Sequence, residues 1–179
     1  MPAAPRSPAL PDGIGDEEIR PTRVFAGHAS PLSLIVLSIL LATALSGVLG
    51  GGPRTVYREH NQAGDFTVLA PRVSRNGNIV ELRFQVDARN AIEKLVIGVD
   101  PGLWRQITTN STMPQAADET FEEGLIRFSF GKVDAGASFE LQVEQQINPD
   151  LIGINRGRIV FFDGRRALAE LPMQLTVLP

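Results

Sequence analysis

The sequence predicts a mainly β protein, with one N-terminal transmembrane helix followed by an immunoglobulin-like antiparallel β-sandwich. Three observations carry that expectation. Residues 32–49, LSLIVLSILLATALSGVL, form an eighteen-residue run without a charge. From Asp65 onward, apolar and polar residues alternate with a period of two. Tight-turn pairs such as Asn76–Gly77 and Asp163–Gly164 separate the alternating runs at short intervals.

The chain divides into a tail (1–30), a transmembrane helix (31–52), a linker (53–64) and an exported β-sandwich domain (65–179). Pro2, Pro5, Pro8, Pro11 and Pro21 punctuate the first thirty residues beside the acidic run Asp16–Glu17–Glu18. Prolines this frequent lack donors and break helices, so the expectation is a disordered tail. The run 32–49, wound as a helix, would cover about 27 Å, close to the hydrocarbon thickness of a bilayer. Gly50–Gly51–Gly52–Pro53 would then stop it. Ala42–Thr43–Ala44 also fits a small-x-small cleavage site, but the long acidic stretch ahead of it favours an uncleaved signal anchor. Arg20 and Arg23 upstream balance Arg54 and Arg58 downstream, so the charge count leaves orientation near a tie. The long folded part after the span decides it: N-terminus cytoplasmic, C-terminal domain periplasmic or extracellular, at a bacterial inner membrane. The linker PRTVYREHNQAG reaches at most about 40 Å.

In the exported part, Val80, Leu82, Phe84 and Val86 alternate with Glu81, Arg83, Gln85 and Asp87. Phe139, Leu141, Val143, Gln145 and Ile147 repeat the pattern, as do Ile126, Phe128 and Phe130. One face buried and one wet is the signature of an antiparallel sheet. Shorter strands are expected at 66–70, 92–99, 104–109, 158–162 and 167–177, seven or eight strands in all. The stretch 110–123 (NSTMPQAADETFEE) reads as the longest irregular loop, either solvated or ligand-binding. Trp104 is the only tryptophan and reads as a packing residue.

Composition narrows the chemistry. The 179 residues carry a formal charge of −3, no cysteine and two histidines. That excludes disulfides, thiolate metal sites and a cysteine nucleophile. The charge balance argues against a nucleic-acid binder, which needs a basic excess. His28 sits beside the apolar run and His60 in the expected linker, so no base is placed on a rigid scaffold. The expectation is therefore no enzyme, no catalytic residues, no cofactor and no metal. Two features point instead to partners. Ser38, Ala42, Ser46 and Gly50 place small residues four apart along the span, a spacing that permits close helix approach to an integral membrane partner. Of the Lys+Arg total of 17, only Lys94 and Lys132 are lysines. Arg156, Arg158, Arg165 and Arg166 cluster near the Asp163–Gly164 turn, suited to acidic partners or lipid phosphates.

At Gly50–Gly51–Gly52–Pro53 the chain resembles a group of uncharacterised bacterial single-span membrane proteins. In these a short tail and an apolar span exit through a Gly-rich, Pro-containing junction into a compact β domain ending near a proline, as at Pro179. The resemblance implies an accessory component of other small integral membrane proteins, and it offers no catalytic residues. The expected function is a membrane-anchored, non-enzymatic interaction or accessory module at the outer face of the inner membrane. The alternative is a small-molecule or envelope-polymer binding domain using the 110–123 loop.

Overall fold

The computed structural model describes residues 30–52 and 54–179. The expected tail, apart from Ser30, lies outside the described residues, as does Pro53. A helix, α1, runs Pro31–Leu45. Proline suits its first position, where φ is already helical and the missing N–H has no partner to lose. Its apolar side chains point in all directions rather than along one stripe, and none of its residues is buried.

α1 ends at Leu45, short of the expected 31–52. The Ser46 hydroxyl donates back to the Thr43 carbonyl at 2.7 Å, and Gly47 takes a left-handed φ of 73°, which ends the helical ladder. The remaining residues to Gly51 form turns. At 1.5 Å per residue α1 is about 22 Å long. Among the described residues, no helix is long and apolar enough to cross a membrane. Contacts divide the chain between Leu40 and Leu41 into two compact units, the second of which holds the strands.

The strands are β1 (Thr55–His60), β2 (Gly64–Ala70), β3 (Val73–Arg75), β4 (Ile79–Ala88), β5 (Ile92–Val99), β6 (Ile107–Met113), β7 (Asp118–Glu122), β8 (Leu125–Val133), β9 (Ser138–Ile147), β10 (Gly153–Asp163) and β11 (Arg166–Leu178). One sheet has the order β1-β2-β4-β9-β6 and the other β3-β11-β10-β5-β8-β7. Pairing is antiparallel throughout, except that β3 runs parallel to β11. The alternation read in the sequence decides which residues meet between the sheets. Phe66, Phe84, Val86, Leu141 and Val143 of the first face Ile97, Val99, Ile159, Phe161 and Leu171 of the second in one buried cluster. Phe66 and Phe161 meet with ring centroids 5.2 Å apart. The domain is thus a β-sandwich built by packing alone.

Two expectations about boundaries are corrected. The stretch 53–64 is not a free linker, because residues 55–60 form β1 and pair with β2 from Thr55↔Ala70 to His60↔Asp65. Its half-buried residues Thr55, Tyr57 and Glu59 alternate with exposed ones, a pattern too polar to stand out in the sequence. The stretch 110–123 is not one loop either. It holds most of β6 and all of β7, two strands at sheet edges.

The β1–β2 connection has a titratable latch. His60 Nδ1 lies 2.5 Å from Asp65 Oδ1, and Arg89 donates to the same oxygen at 2.9 Å. The His60 hydrogen bond, with help from Arg89, holds the Asp65 carboxyl below its ordinary value of 3.8. A carboxyl lowered in the folded state stabilises above its unfolded pKa, and the contribution disappears as pH falls through the folded value. Asp65→Asn is therefore expected to lower the melting temperature at pH 7 and to converge on the parent as pH falls through the lowered Asp65 value. Circular dichroism melts across that range test this, and an equal loss at both ends would refute it.

Candidate functional site

A buried asparagine holds the turn that leads into a cleft of the domain. After β5 the chain turns at Asp100–Pro101–Gly102, where Asp100 Oδ1 accepts from the Gly102 N–H at 2.8 Å and the Asp100 carbonyl accepts from the Leu103 N–H at 3.0 Å. Gly157 lies against this turn, leaving no room for a side chain: a Cβ there would come within 2.7 Å of Asp100 Cβ. Asn155, 2% exposed, donates through Nδ2 to the carbonyls of Leu103 at 3.2 Å and Arg105 at 3.0 Å. These bonds bracket Trp104. Its indole packs on Phe128 of β8, with ring centroids 5.6 Å apart and planes at 45°. The indole N–H is buried without a protein acceptor.

From Trp104 the chain enters β6, which β9 alone holds in its sheet. Buried Gln145 of β9 donates to Thr109 Oγ1 at 3.3 Å, and the register slips between Thr109 and Ser111. After Pro114 the chain crosses to the other sheet, where the Ala117 N–H bonds the Ser129 carbonyl at 2.8 Å and β7 begins. The two sheets thus end on one side in β6 and β7, with a cleft of about 610 Å³ between them. Trp104, Ile107, Ile126 and Phe128 give it apolar walls. The segment 109–119 supplies its polar rim, including Asn110, Gln115, Asp118 and Glu119, and no cationic side chain lines it.

The chain matches no protein-family model and no curated protein. What this cleft does is therefore argued from its chemistry. Apolar walls with a few convergent polar groups are the usual make-up of a ligand site. Among the described residues no group of three or more His, Asp or Glu is placed to hold a metal. His60 lies on β1, the opposite edge of its sheet from β6.

The partner residues read from the sequence are not brought together. Ser38 and Ala42 lie on α1, but Ser46 and Gly50 follow its end. Ser46 N–H still bonds the Ala42 carbonyl at 2.9 Å. Gly50 has φ 94° and lies against Arg75, whose Nε donates to the Leu49 carbonyl at 3.0 Å. The small-residue row is therefore helical only over its first half. Of the arginines, Arg156 bonds Gln174 at 3.1 Å, Arg158 grips both oxygens of Glu170 at 3.1 Å, and Arg166 meets Asp163 at 3.2 Å. Arg165 lines a shallow groove beside Lys94 and Ser129. Three of the four thus have intradomain acceptors.

Sequence reasoning passed over Asn155 and Arg127. Arg127 is buried on β8, its guanidinium 4.5 Å above the Phe162 ring and paired with Glu122 and Glu123 across the β7–β8 turn. An Arg between Ile126 and Phe128 in an alternating run reads as an outward, wet position. It is covered instead by groups that the local pattern does not show, the Phe162 ring and the Glu122 and Glu123 carboxylates.

Proposed function

We propose that the chain is a membrane-anchored, non-enzymatic interaction module. Its apolar N-terminal segment holds an immunoglobulin-like β-sandwich at the outer face of a bacterial inner membrane, where the domain binds an integral membrane protein partner. The observation that carries this reading is α1 itself: uncharged, apolar on every side, and with no residue buried. An all-round apolar helix with no buried residue among those described calls for apolar surroundings. The uncharged stretch also continues past both ends of α1, from Val24 to Pro53 with only His28 in it, so the anchor draws on more chain than the helix alone.

Two experiments test the reading. A charge at the middle of a span costs about 2.5–3.5 kcal/mol, so Leu37→Asp with Leu41→Asp is expected to move the chain from the membrane fraction to the soluble one. Unchanged sedimentation with membranes after carbonate washing would refute the anchor. Gentle detergent extraction of the tagged full chain, followed by mass spectrometry, is expected to recover a stoichiometric integral membrane protein. That partner is expected to be lost when residues 31–52 are exchanged for an unrelated span. Recovery of the chain alone, at monomer mass, would refute the partner.

A second reading, binding of a small molecule or an envelope polymer through residues 110–123, is favoured by the cleft, whose rim that segment supplies. Trp104 is the only tryptophan in the chain, so its fluorescence reports on the cleft directly. Titration with a soluble glycan such as chitohexaose tests this reading, and an unchanged spectrum counts against it.

A further inference from the structure

Each sheet of a sandwich ends in two strands with a row of unpaired backbone groups, and natural proteins protect such edges with charge, brevity, proline or bulges. Three of the four edges here are protected in that way. β1 carries Arg58, Glu59 and His60, β3 is three residues long and ends in Arg75, and β7 carries Asp118, Glu119 and Glu122. The fourth, β6, reads ITTNSTM: seven residues without a charge or a proline, exposed from Thr108 to Ser111 and irregular only where its register slips between Thr109 and Ser111. It pairs on one side only, with β9. This uncharged edge is also one of the two that flank the aromatic-walled cleft.

From this juxtaposition we infer that β6 is a strand-addition site, which takes an extended segment of a partner protein into the mouth of the cleft. The inference rests on the partner-binding reading above and names what the partner must supply. A strand laid on β6 satisfies its free backbone groups and sits about 4.8 Å from it. Seven residues of β6 present roughly 23 Å of edge, enough for about six residues of partner. Alternate side chains of that segment turn into the cleft. There they meet Trp104, Ile107 and Phe128, and the Asp118 and Glu119 carboxylates, with no cationic side chain among the lining residues. Apolar residues at alternate positions, with a lysine or arginine among or beside them, complement these walls. Charge also selects against a second copy of this chain. Pairing β6 with its own counterpart would bring two sets of the β7 carboxylates toward one seam without a cation from either cleft.

The test uses the full chain, purified in mild detergent, as bait for a library of random ten-residue peptides displayed on phage. The expected result is enrichment of proline-free peptides with alternating apolar residues and at least one basic residue. A synthetic winner is expected to shift Trp104 fluorescence and to slow amide hydrogen exchange at residues 108–113 by at least about tenfold, as new backbone pairing requires. N-methylation of alternate amides in that peptide is expected to abolish binding. Asp118→Asn with Glu119→Gln, two exposed positions, is expected to weaken it about tenfold, with less salt dependence and an unchanged melting temperature.

Protection confined to β1 or β3, winners without alternation, or unimpaired binding of the N-methylated peptide would each overturn the proposal. So would the absence of any enriched peptide while chitohexaose shifts Trp104 fluorescence, which would assign the cleft to a glycan. A membrane partner that co-purifies while β6 gains no protection would sink the strand addition and leave the partner reading standing.

Discussion

Phe161→Ala is expected to cost the domain about 3–5 kcal/mol, the range for truncating a buried aromatic. Phe161 is fully buried, on a central strand of the second sheet, and its ring meets Phe66 across the sandwich at 5.2 Å. The substitution therefore removes apolar burial, an aromatic pair and the bridge between the sheets together. Domains of this size are stable by only about 5–15 kcal/mol, so the variant would be marginal at physiological temperature. Urea unfolding followed by circular dichroism measures the loss. A change below about 1 kcal/mol would mean that the sheets do not share one core at this point.

Asn155→Ala is expected to cost about 2–3 kcal/mol and to loosen the turn that carries Trp104. The side chain is buried and bonds two carbonyls on either side of the indole. Removing it leaves the buried carbonyl of Leu103 without that donor, a loss of about 1–3 kcal/mol for each such group. Asn155→Asp separates hydrogen bonding from packing. The aspartate has nearly the same shape but sets a carboxylate against two carbonyl oxygens, so it is expected to destabilise more than alanine does. Urea unfolding ranks the variants, and Trp104 fluorescence reports whether the cleft wall moves. If aspartate were tolerated better than alanine, the donor role assigned to Asn155 would be wrong.

Asn155 also shows why the site was only half legible in the sequence. Its neighbours Ile154 and Arg156 give no sign that a polar side chain at 155 points inward. The reason it does so, a turn fifty residues earlier in the chain, exists only once β10 passes beneath that turn. Trp104 read as a packing residue, and it does pack, on Phe128. That it also walls a cleft follows from where the two sheets end. The segment 110–123 was noticed for its irregular composition, but its strands went unseen. β6 and β7 are largely exposed edges, so no buried face imposes an alternation on them. β1 does alternate, but its half-buried positions Thr55, Tyr57 and Glu59 include no aliphatic residue, so the pattern is quiet in the sequence.

What the sequence by itself determined is whatever is written in neighbouring residues: the class of fold, the inner strands and the apolar helix. β4 and β9 were readable because every second residue must enter the core, and such a pattern is local. The uncharged run at 32–49 was readable because it is one continuous local stretch, although its helix stops at Leu45 where the Ser46 hydroxyl and the Gly47 backbone turn back. Only the tertiary structure decided which strands became edges, that one edge is an uncharged strand and where the sheets part to leave a cleft. Those outcomes depend on pairings between residues far apart in the chain, such as Ile107↔Ile147 and Ile159↔Val99. Non-local pairing leaves no periodic trace in the segments it joins, which is why the candidate site emerged from the fold and its frame from the sequence.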